Sequence, residues 1–315
     1  MFSVREFEEK INENHIRLHA YMIVQRDKVL AMQKYSKTDC HNVYSIAKSY
    51  LSTGVGMAID EGLLSLQDKP WDMFYDLLPK NVDESWKDVT LEHLLTMASG
   101  NGSACLMAED RSRLKSDTDE TISEEFKEEW LKYAFASPIC YRPGEKFVYG
   151  NQNPYIAGRM LEKVTGMTVC DYLYEKLWQP LGLEKPYWGT DNAGHTFTAS
   201  DLYLDIDSMT KFGQVYLGNG TYNGKRFVSE DWIRKSTAIH IRSSCLSPNG
   251  GAADELQGYG YYFWKNTKEG YRANGKMGQL ILVLPEKEAV ISVQARHISS
   301  QQILDIIWET IYTRL

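Results

Sequence analysis

The sequence predicts an α+β fold: an antiparallel sheet flanked by N- and C-terminal helices, with a mostly helical second lobe. Three observations predict it. Strand-like runs sit at the two ends of the chain, His19 to Gln25 and Lys28 to Tyr35 early and Gly258 to Ala295 late. The long middle, from Leu63 to about Asp201, reads as helices and loops. Helical patterns close both termini, at residues 3–14 and 300–315. Strands from both ends can share one sheet with the terminal helices packed on it, which leaves the middle to form its own lobe. Residues 1–61 and 205–315 are therefore expected to build a sheet domain and 62–204 the helical lobe, with the functional site between them.

Each element has a local reason. Residues 3–14 read as a short charged helix, and the two early strand runs are joined at Arg26-Asp27 as a hairpin. A helix follows from about Ser45 to Glu61, because Ile46, Tyr50, Val55, Ala58 and Ile59 keep helical spacing. Gly54 and Gly56 weaken it locally and point to close packing. Leu91 to Met97 reads as a buried helix ending near Ser99-Gly100. Glu109 to Glu129 is densely charged with few apolar residues, so a solvated excursion is expected there. Tyr155 to Thr165 and Asp171 to Trp178 read as helices, as does Asp207 to Leu217, closed by Gly218-Asn219-Gly220.

A loop from Ser243 to Asp254 leads to four candidate strands: Gly258 to Lys265, Gly270 to Lys276, Gln279 to Leu284 and Ala289 to Ala295. Pro285-Glu286-Lys287-Glu288 turns between the last two. In the first, the run Tyr259 to Trp264 is expected to alternate, half facing the core and half walling a cleft. Residues 300–315 form an amphipathic helix with Ile303, Leu304, Ile307, Trp308, Ile311 and Leu315 on one face.

Composition argues against several function classes. A chain of 315 residues is ample for one large core or two sub-domains. The net charge of −7, with no long Lys/Arg run, argues against a nucleic-acid partner. No stretch of about 18 apolar residues exists, so no membrane-spanning helix is expected. The charged N-terminus, Met1 to Lys10, lacks the apolar core of a secretory signal. Cys40, Cys105, Cys140, Cys170 and Cys245 are odd in number and scattered, and signal neither a metal site nor a disulfide framework. A cytoplasmic location and no cofactor are the resulting expectations. His93 lies in a buried helix and reads as structural, while His195, His240 and His297 lack metal-ligand spacing.

The most informative stretch is Ser45-Ile46-Ala47-Lys48. Residues three apart share a helix face, so the hydroxyl and the amine can meet. A serine hydroxyl is a weak nucleophile until a neighbouring base takes its proton, and a desolvated lysine can be that base. The spacing alone is cheap. Roughly one Ser-x-x-Lys is expected by chance in a chain of this length, and two more occur, at Ser112/Lys115 and Ser208/Lys211. Taken singly, Ser45 would be a helix N-cap, Lys48 a surface lysine and Tyr149-Gly150-Asn151 an ordinary turn. Order and company single out one set. Ser45 and Lys48 come first. Tyr149-Gly150-Asn151 follows, preceded by Arg142-Pro143-Gly144-Glu145 and Phe147. Lys276-Met277-Gly278 comes last, followed by Gln279 and the strand Leu280 to Leu284.

This set resembles the serine β-lactamase and penicillin-binding-protein superfamily, specifically its class C-like branch, which carries Tyr-x-Asn where class A enzymes carry Ser-Asp-Asn. The resemblance covers nearly the whole chain. Glu61-Gly62-Leu63-Leu64-Ser65-Leu66 is similar to the family's helix exit, and Leu94-Leu95-Thr96-Met97-Ala98-Ser99-Gly100 to its Leu-Leu-Thr-x-x-Ser-Gly box. Pro180-Leu181-Gly182-Leu183 and Asn223-Gly224-Lys225-Arg226 also fit. Three departures stand out. Met277 replaces a common Thr and removes a hydroxyl that could bind a substrate carboxylate. Gly150 replaces Ser or Ala. No class A glutamate motif follows the second site.

The resemblance implies a β-lactamase/transpeptidase-like fold and acyl transfer through a covalent ester on Ser45. Lys48 or Tyr149 would accept the serine proton. The ammonium groups of Lys48 and Lys276 would favour the Tyr149 phenolate, whereas burial would make Lys48 itself the base. Backbone N–H groups of Ser45 and Gln279 would form the oxyanion hole, with Gly278 completing the third box. Asn151 would orient Lys48 and the acyl amide, and Lys276 would supply positive charge to Tyr149 or a substrate carboxylate. The implied substrate is a small-molecule amide, ester or β-lactam. The alternatives are a penicillin-binding protein that acylates but turns over slowly, and a non-catalytic binding module on the same fold.

Overall fold

The structure, a computed structural model, describes residues 2–243 and 252–315. Cys245 and most of the loop read over Ser243–Asp254 lie outside the described residues. The chain opens with α1 (Arg5–Glu13), whose Phe7 and Ile11 share the buried face. β1 (Arg17–Gln25) and β2 (Lys28–Lys34) form a hairpin in which Arg26 and Asp27 take φ of 47° and 60°. A two-residue connection of matching twist requires positive φ at both positions. A short strand, β3 (His41–Asn42), leads into α2 (Ile46–Asp60).

The middle of the chain supplies α3 (Pro70–Met73), α4 (Leu91–Leu95), α5 (Ala108–Leu114), α6 (Glu124–Glu128), α7 (Trp130–Phe135), α8 (Gln152–Thr165) and α9 (Val169–Leu173). His93 closes the start of α4: its Nδ1 accepts from the Thr90 N–H at 3.1 Å. The helix read over Asp171–Trp178 begins two residues earlier and changes to a wider π-type turn over Tyr174–Trp178. The charged stretch Glu109–Glu129 is largely exposed, as expected, but it is helical and anchored. It contributes most of α5 and all of α6, and buries Leu114, Ile122 and Lys127. Its few apolar residues fall where the short helices meet the body.

After β4 (Tyr203–Leu204), which pairs antiparallel with β3, come α10 (Ile206–Leu217) and a small hairpin of β5 (Thr221–Tyr222) and β6 (Lys225–Arg226). α11 (Glu230–Thr237) precedes the late strands β7 (Trp264–Lys265), β8 (Tyr271–Gly275), β9 (Gln279–Leu284) and β10 (Ala289–Arg296), and α12 (Ser300–Thr310) ends the fold. One six-stranded antiparallel sheet runs in the order β2-β1-β10-β9-β8-β7. The two ends of the chain meet at β1 and β10, where Tyr21 faces Val293 and Ile23 faces Ile291.

The sheet is covered on both faces. Leu280, Leu282 and Leu284 pack with α1 and α12, while Ile281 and Val283 join the larger core on the opposite face. That is why β9 reads as an unbroken apolar run rather than an alternating one. The strand read over Gly258–Lys265 shrinks to β7. Tyr259, Tyr261, Tyr262, Phe263 and Trp264 are all buried, and Tyr262 takes φ 65°, so neither extended backbone nor an outward half remains.

Helix α2 is buried at every position from Ile46 to Ala58, between β8 on one side and α8 and α9 on the other. Gly56 admits Trp232 of α11 against the backbone: a Cβ there would lie 2.4 Å from the indole. Among the described residues no helix is long and apolar enough to cross a membrane.

Candidate active site

The site begins at a strained turn. Val43 donates its N–H to the Leu202 carbonyl at 2.8 Å, and Tyr44 takes φ 48° with its N–H on Asn42 Oδ1 at 2.8 Å. Ser45 then occupies the N-cap position of α2, yet its hydroxyl does not cap the helix. It lies 2.9 Å from Lys48 Nζ, one turn along. Lys48 is 1% exposed, and its Nζ also donates to the Ala199 carbonyl at 2.6 Å. Desolvation lowers its pKa to about 7, helped by the Arg111 charge and opposed by Asp201. A large share of Lys48 is therefore the neutral amine near neutrality, with a lone pair for the serine proton.

Tyr149 completes this cluster. Lys48 Nζ lies 5.1 Å from the centre of its ring. The ring packs among Phe147, Tyr259 and Trp264. That burial pushes the phenol well above its ordinary pKa, and the nearby Ser45 hydroxyl only partly offsets it. The expected depression by two ammonium groups is overturned: Tyr149 stays a phenol at neutral pH, a proton donor rather than a resting base.

The other sequence candidates bond to neighbours outside the Ser45–Lys48–Tyr149 cluster or stand free of it. Asn151 starts α8, 8% exposed, and its Nδ2 donates to the Leu106 carbonyl at 3.1 Å, holding a loop rather than Lys48. Lys276 is exposed at the tip of the β8–β9 turn. Gly278 faces α12, since a Cβ there would lie 2.5 Å from Ile303. Gln279 pairs with Gly275 across the ladder and spends its Nε2 on the Ala295 carbonyl at 2.5 Å. Among the described residues the Lys276 ammonium thus makes no hydrogen bond or ion pair with Ser45, Lys48 or Tyr149, and the Gln279 amide is held within the sheet.

What β8 does present is backbone. A Cβ on Gly275 would lie 2.2 Å from the Val43 carbonyl, two residues before Ser45. Only glycine permits that approach. Gly275→Ala is expected to destabilise the fold by about 1–3 kcal/mol and to slow labelling of Ser45 by a fluorophosphonate. Unchanged melting and unchanged labelling would show the contact to be unimportant.

Four contributors escaped sequence reasoning: the Ala199 carbonyl, Asp201, Asn42 and Arg111. A backbone acceptor has no side-chain signature, Ser200-Asp201 looks like any polar loop, and Arg111 hid in a charged stretch. Among the described residues no group of three or more His, Cys, Asp and Glu could hold a metal ion.

The family model described as Beta-lactamase matches residues 4–297. A lovastatin esterase from Penicillium rubens is 28% identical over 178 residues, 53% of this chain and 42% of that protein. The chain thus spans less than half the length of that relative. A 6-aminohexanoate-dimer hydrolase from Paenarthrobacter ureafaciens is 22% identical over 290 residues, 86% of this chain and 71% of that protein. The octameric penicillin-binding protein homologue from Pyrococcus abyssi superimposes with a TM-score of 0.73 at 20% identity, covering 98% of this chain and 77% of that one. At that identity the likeness shows the fold.

Proposed function

The chain belongs to the beta-lactamase family, and from that premise we propose that it is a serine hydrolase, cleaving a small-molecule ester or amide through an acyl-enzyme on Ser45. The Ser45–Lys48 pair carries this reading: a hydroxyl 2.9 Å from a buried amine whose pKa has fallen to about 7. Such a pair is a nucleophile with its base already in place.

Neutral Lys48 takes the Ser45 proton as Oγ bonds to the substrate carbonyl carbon. The carbonyl electron pair moves onto oxygen, where the Ser45 N–H and the N–H of Lys276 donate to it. Neither has a backbone acceptor among the described residues, and Gly275 brings the second toward the first. This assigns the second donor to the residue after Gly275 rather than to Gln279, whose place is in the ladder. The intermediate collapses, the carbon–leaving-group bond breaks, and the leaving group takes a proton relayed from Lys48 through the Tyr149 phenol. Water then attacks the ester with the same groups in reverse roles, releasing acid and restoring Ser45.

The Ser45/Lys48 and Tyr149/Asn151 boxes favour the class C-like branch. Met277 brings no hydroxyl for a carboxylate, which favours substrates without one. A lovastatin esterase and a 6-aminohexanoate-dimer hydrolase among the relatives support an ester or amide substrate. Cys40, Cys105, Cys140 and Cys170 are unpaired, which fits a cytoplasmic location. The catalytic seam belongs, in this reading, between the sheet domain (1–61 and 205–315) and the helical lobe (62–204).

The test sets p-nitrophenyl esters beside nitrocefin and maps fluorophosphonate and penicillin adducts. Ester turnover with fluorophosphonate on Ser45, both lost in Ser45→Ala, is the expected result. A persistent penicillin adduct without ester turnover would favour the slow penicillin-binding reading. No Ser45-dependent reaction with any probe would leave a binding module.

A further inference from the structure

One short segment, Ala199–Leu204, touches the whole mount of the nucleophile. The Ala199 carbonyl holds Lys48, the Leu202 carbonyl holds the Val43 N–H, and Tyr203 and Leu204 pair with Asn42 and His41. Between them Asp201, itself at φ 62°, gives one carboxylate oxygen to Arg111 Nη1. Its other oxygen accepts from Asn42 Nδ2 at 3.4 Å and from Ser200 Oγ at 3.2 Å. Asn42 passes the restraint on, because its Oδ1 accepts the N–H of left-handed Tyr44. Arg111 is anchored in turn: its guanidinium lies 4.3 Å from the Phe197 ring centre, and its side chain is 17% exposed.

We infer that the string Arg111–Asp201–Asn42 is a positioning device for the reaction at Ser45, holding Tyr44 in its left-handed turn and so aiming the Ser45 hydroxyl and N–H. The inference rests on the hydrolase reading above. None of the three side chains is placed on the reacting atoms; they act through Tyr44 and Lys48. A non-glycine residue in the left-handed region costs on the order of 1–3 kcal/mol and persists only when its surroundings over-determine it. Here the over-determination is visible: Asn42 grips the N–H of Tyr44, Leu202 grips the residue before it, and Asp201 grips Asn42. Arg111 keeps the Asp201 carboxylate fixed and balanced. The string thus ties the charged stretch that carries α5 to the start of α2.

The same string carries opposite charges beside Lys48. Arg111 favours the neutral amine and Asp201 the ammonium, while Ser45 and the Tyr149 ring are the other groups facing it. Breaking the string from its two ends should therefore move the acid limb of the pH profile in opposite directions.

The experiment measures p-nitrophenyl acetate hydrolysis by the full chain across pH, in wild type, Arg111→Gln, Arg111→Lys, Asp201→Asn and Asn42→Ala, with Ser45→Ala as background. Circular dichroism and melting verify that each variant is folded. Arg111→Gln, Asp201→Asn and Asn42→Ala are expected to lower kcat by about 10-fold or more with little change in KM. Arg111→Gln should shift the acid limb upward and Asp201→Asn downward, Asn42→Ala should leave it in place, and Arg111→Lys should recover part of the loss. Folded variants with unchanged kcat, or limbs moving the same way, overturn the inference while the hydrolase reading stands. Wild-type turnover no greater than Ser45→Ala overturns both.

Discussion

Lys48→Met is expected to abolish hydrolysis and, at pH 7, to raise the melting temperature. Removing a positioned base typically slows a reaction by about 10²–10⁴-fold, and here the base lies 2.9 Å from the serine hydroxyl. The stability gain follows from the same burial. An unfolded lysine titrates near 10.4, whereas folded Lys48 titrates at about 7. Between those values the unfolded chain holds a proton that the folded chain has given up, so stability rises with pH across that window. The penalty is largest below pH 7 and vanishes above the unfolded value.

Every pH unit that separates the folded from the unfolded titration corresponds to about 1.4 kcal/mol. Methionine removes this penalty but leaves the Ala199 carbonyl without its donor, which returns roughly 1–3 kcal/mol. A net rise of a few degrees is expected at pH 7 and none at pH 10.5, measured by thermal melting at both. Wild-type activity should rise through an acid limb at about pH 7. Retained activity in Lys48→Met, or a melting gain equal at both pH values, would assign the base elsewhere.

Tyr149→Phe is expected to lower kcat/KM by about 10²–10³-fold toward an alkyl ester and far less toward a p-nitrophenyl ester. The reason is the protonation state. Burial keeps Tyr149 a phenol at neutral pH, so its contribution is a proton for the departing group. An alkoxide cannot leave without one, and p-nitrophenolate can. Phenylalanine keeps the ring packed against Phe147, Tyr259 and Trp264, so the fold should be unaffected. Equal losses toward both esters would mean that the hydroxyl only positions Ser45 and donates no proton.

The legible parts of this protein are the local ones. Apolar spacing and apolar runs located α2, α12 and the last three strands to within a few residues, because burial selects apolar side chains. The hairpin at Arg26-Asp27 was legible for the same reason. The aromatic run Tyr259–Trp264 was not, since residues buried on all sides give no alternation, and only tertiary packing tells a strand from a buried coil there. The charged stretch around α5 was legible as solvated, and its anchors were not. Its charges outnumber its buried residues, yet Arg111 and Leu114 do the packing.

By itself the sequence determined the α+β order of elements and the meeting of Ser45 with Lys48, because three residues along a helix place two side chains together whatever surrounds them. The tertiary structure decided the rest. It set Lys48 near neutrality and Tyr149 as a phenol, since desolvation depends on which distant segments close over a group. It turned Asn151 toward Leu106 and set the Gly275 backbone against Val43, just before Ser45. It brought the Ala199 carbonyl, Asp201 and Arg111 around Lys48, and such contacts across long stretches of chain leave no mark in local spacing.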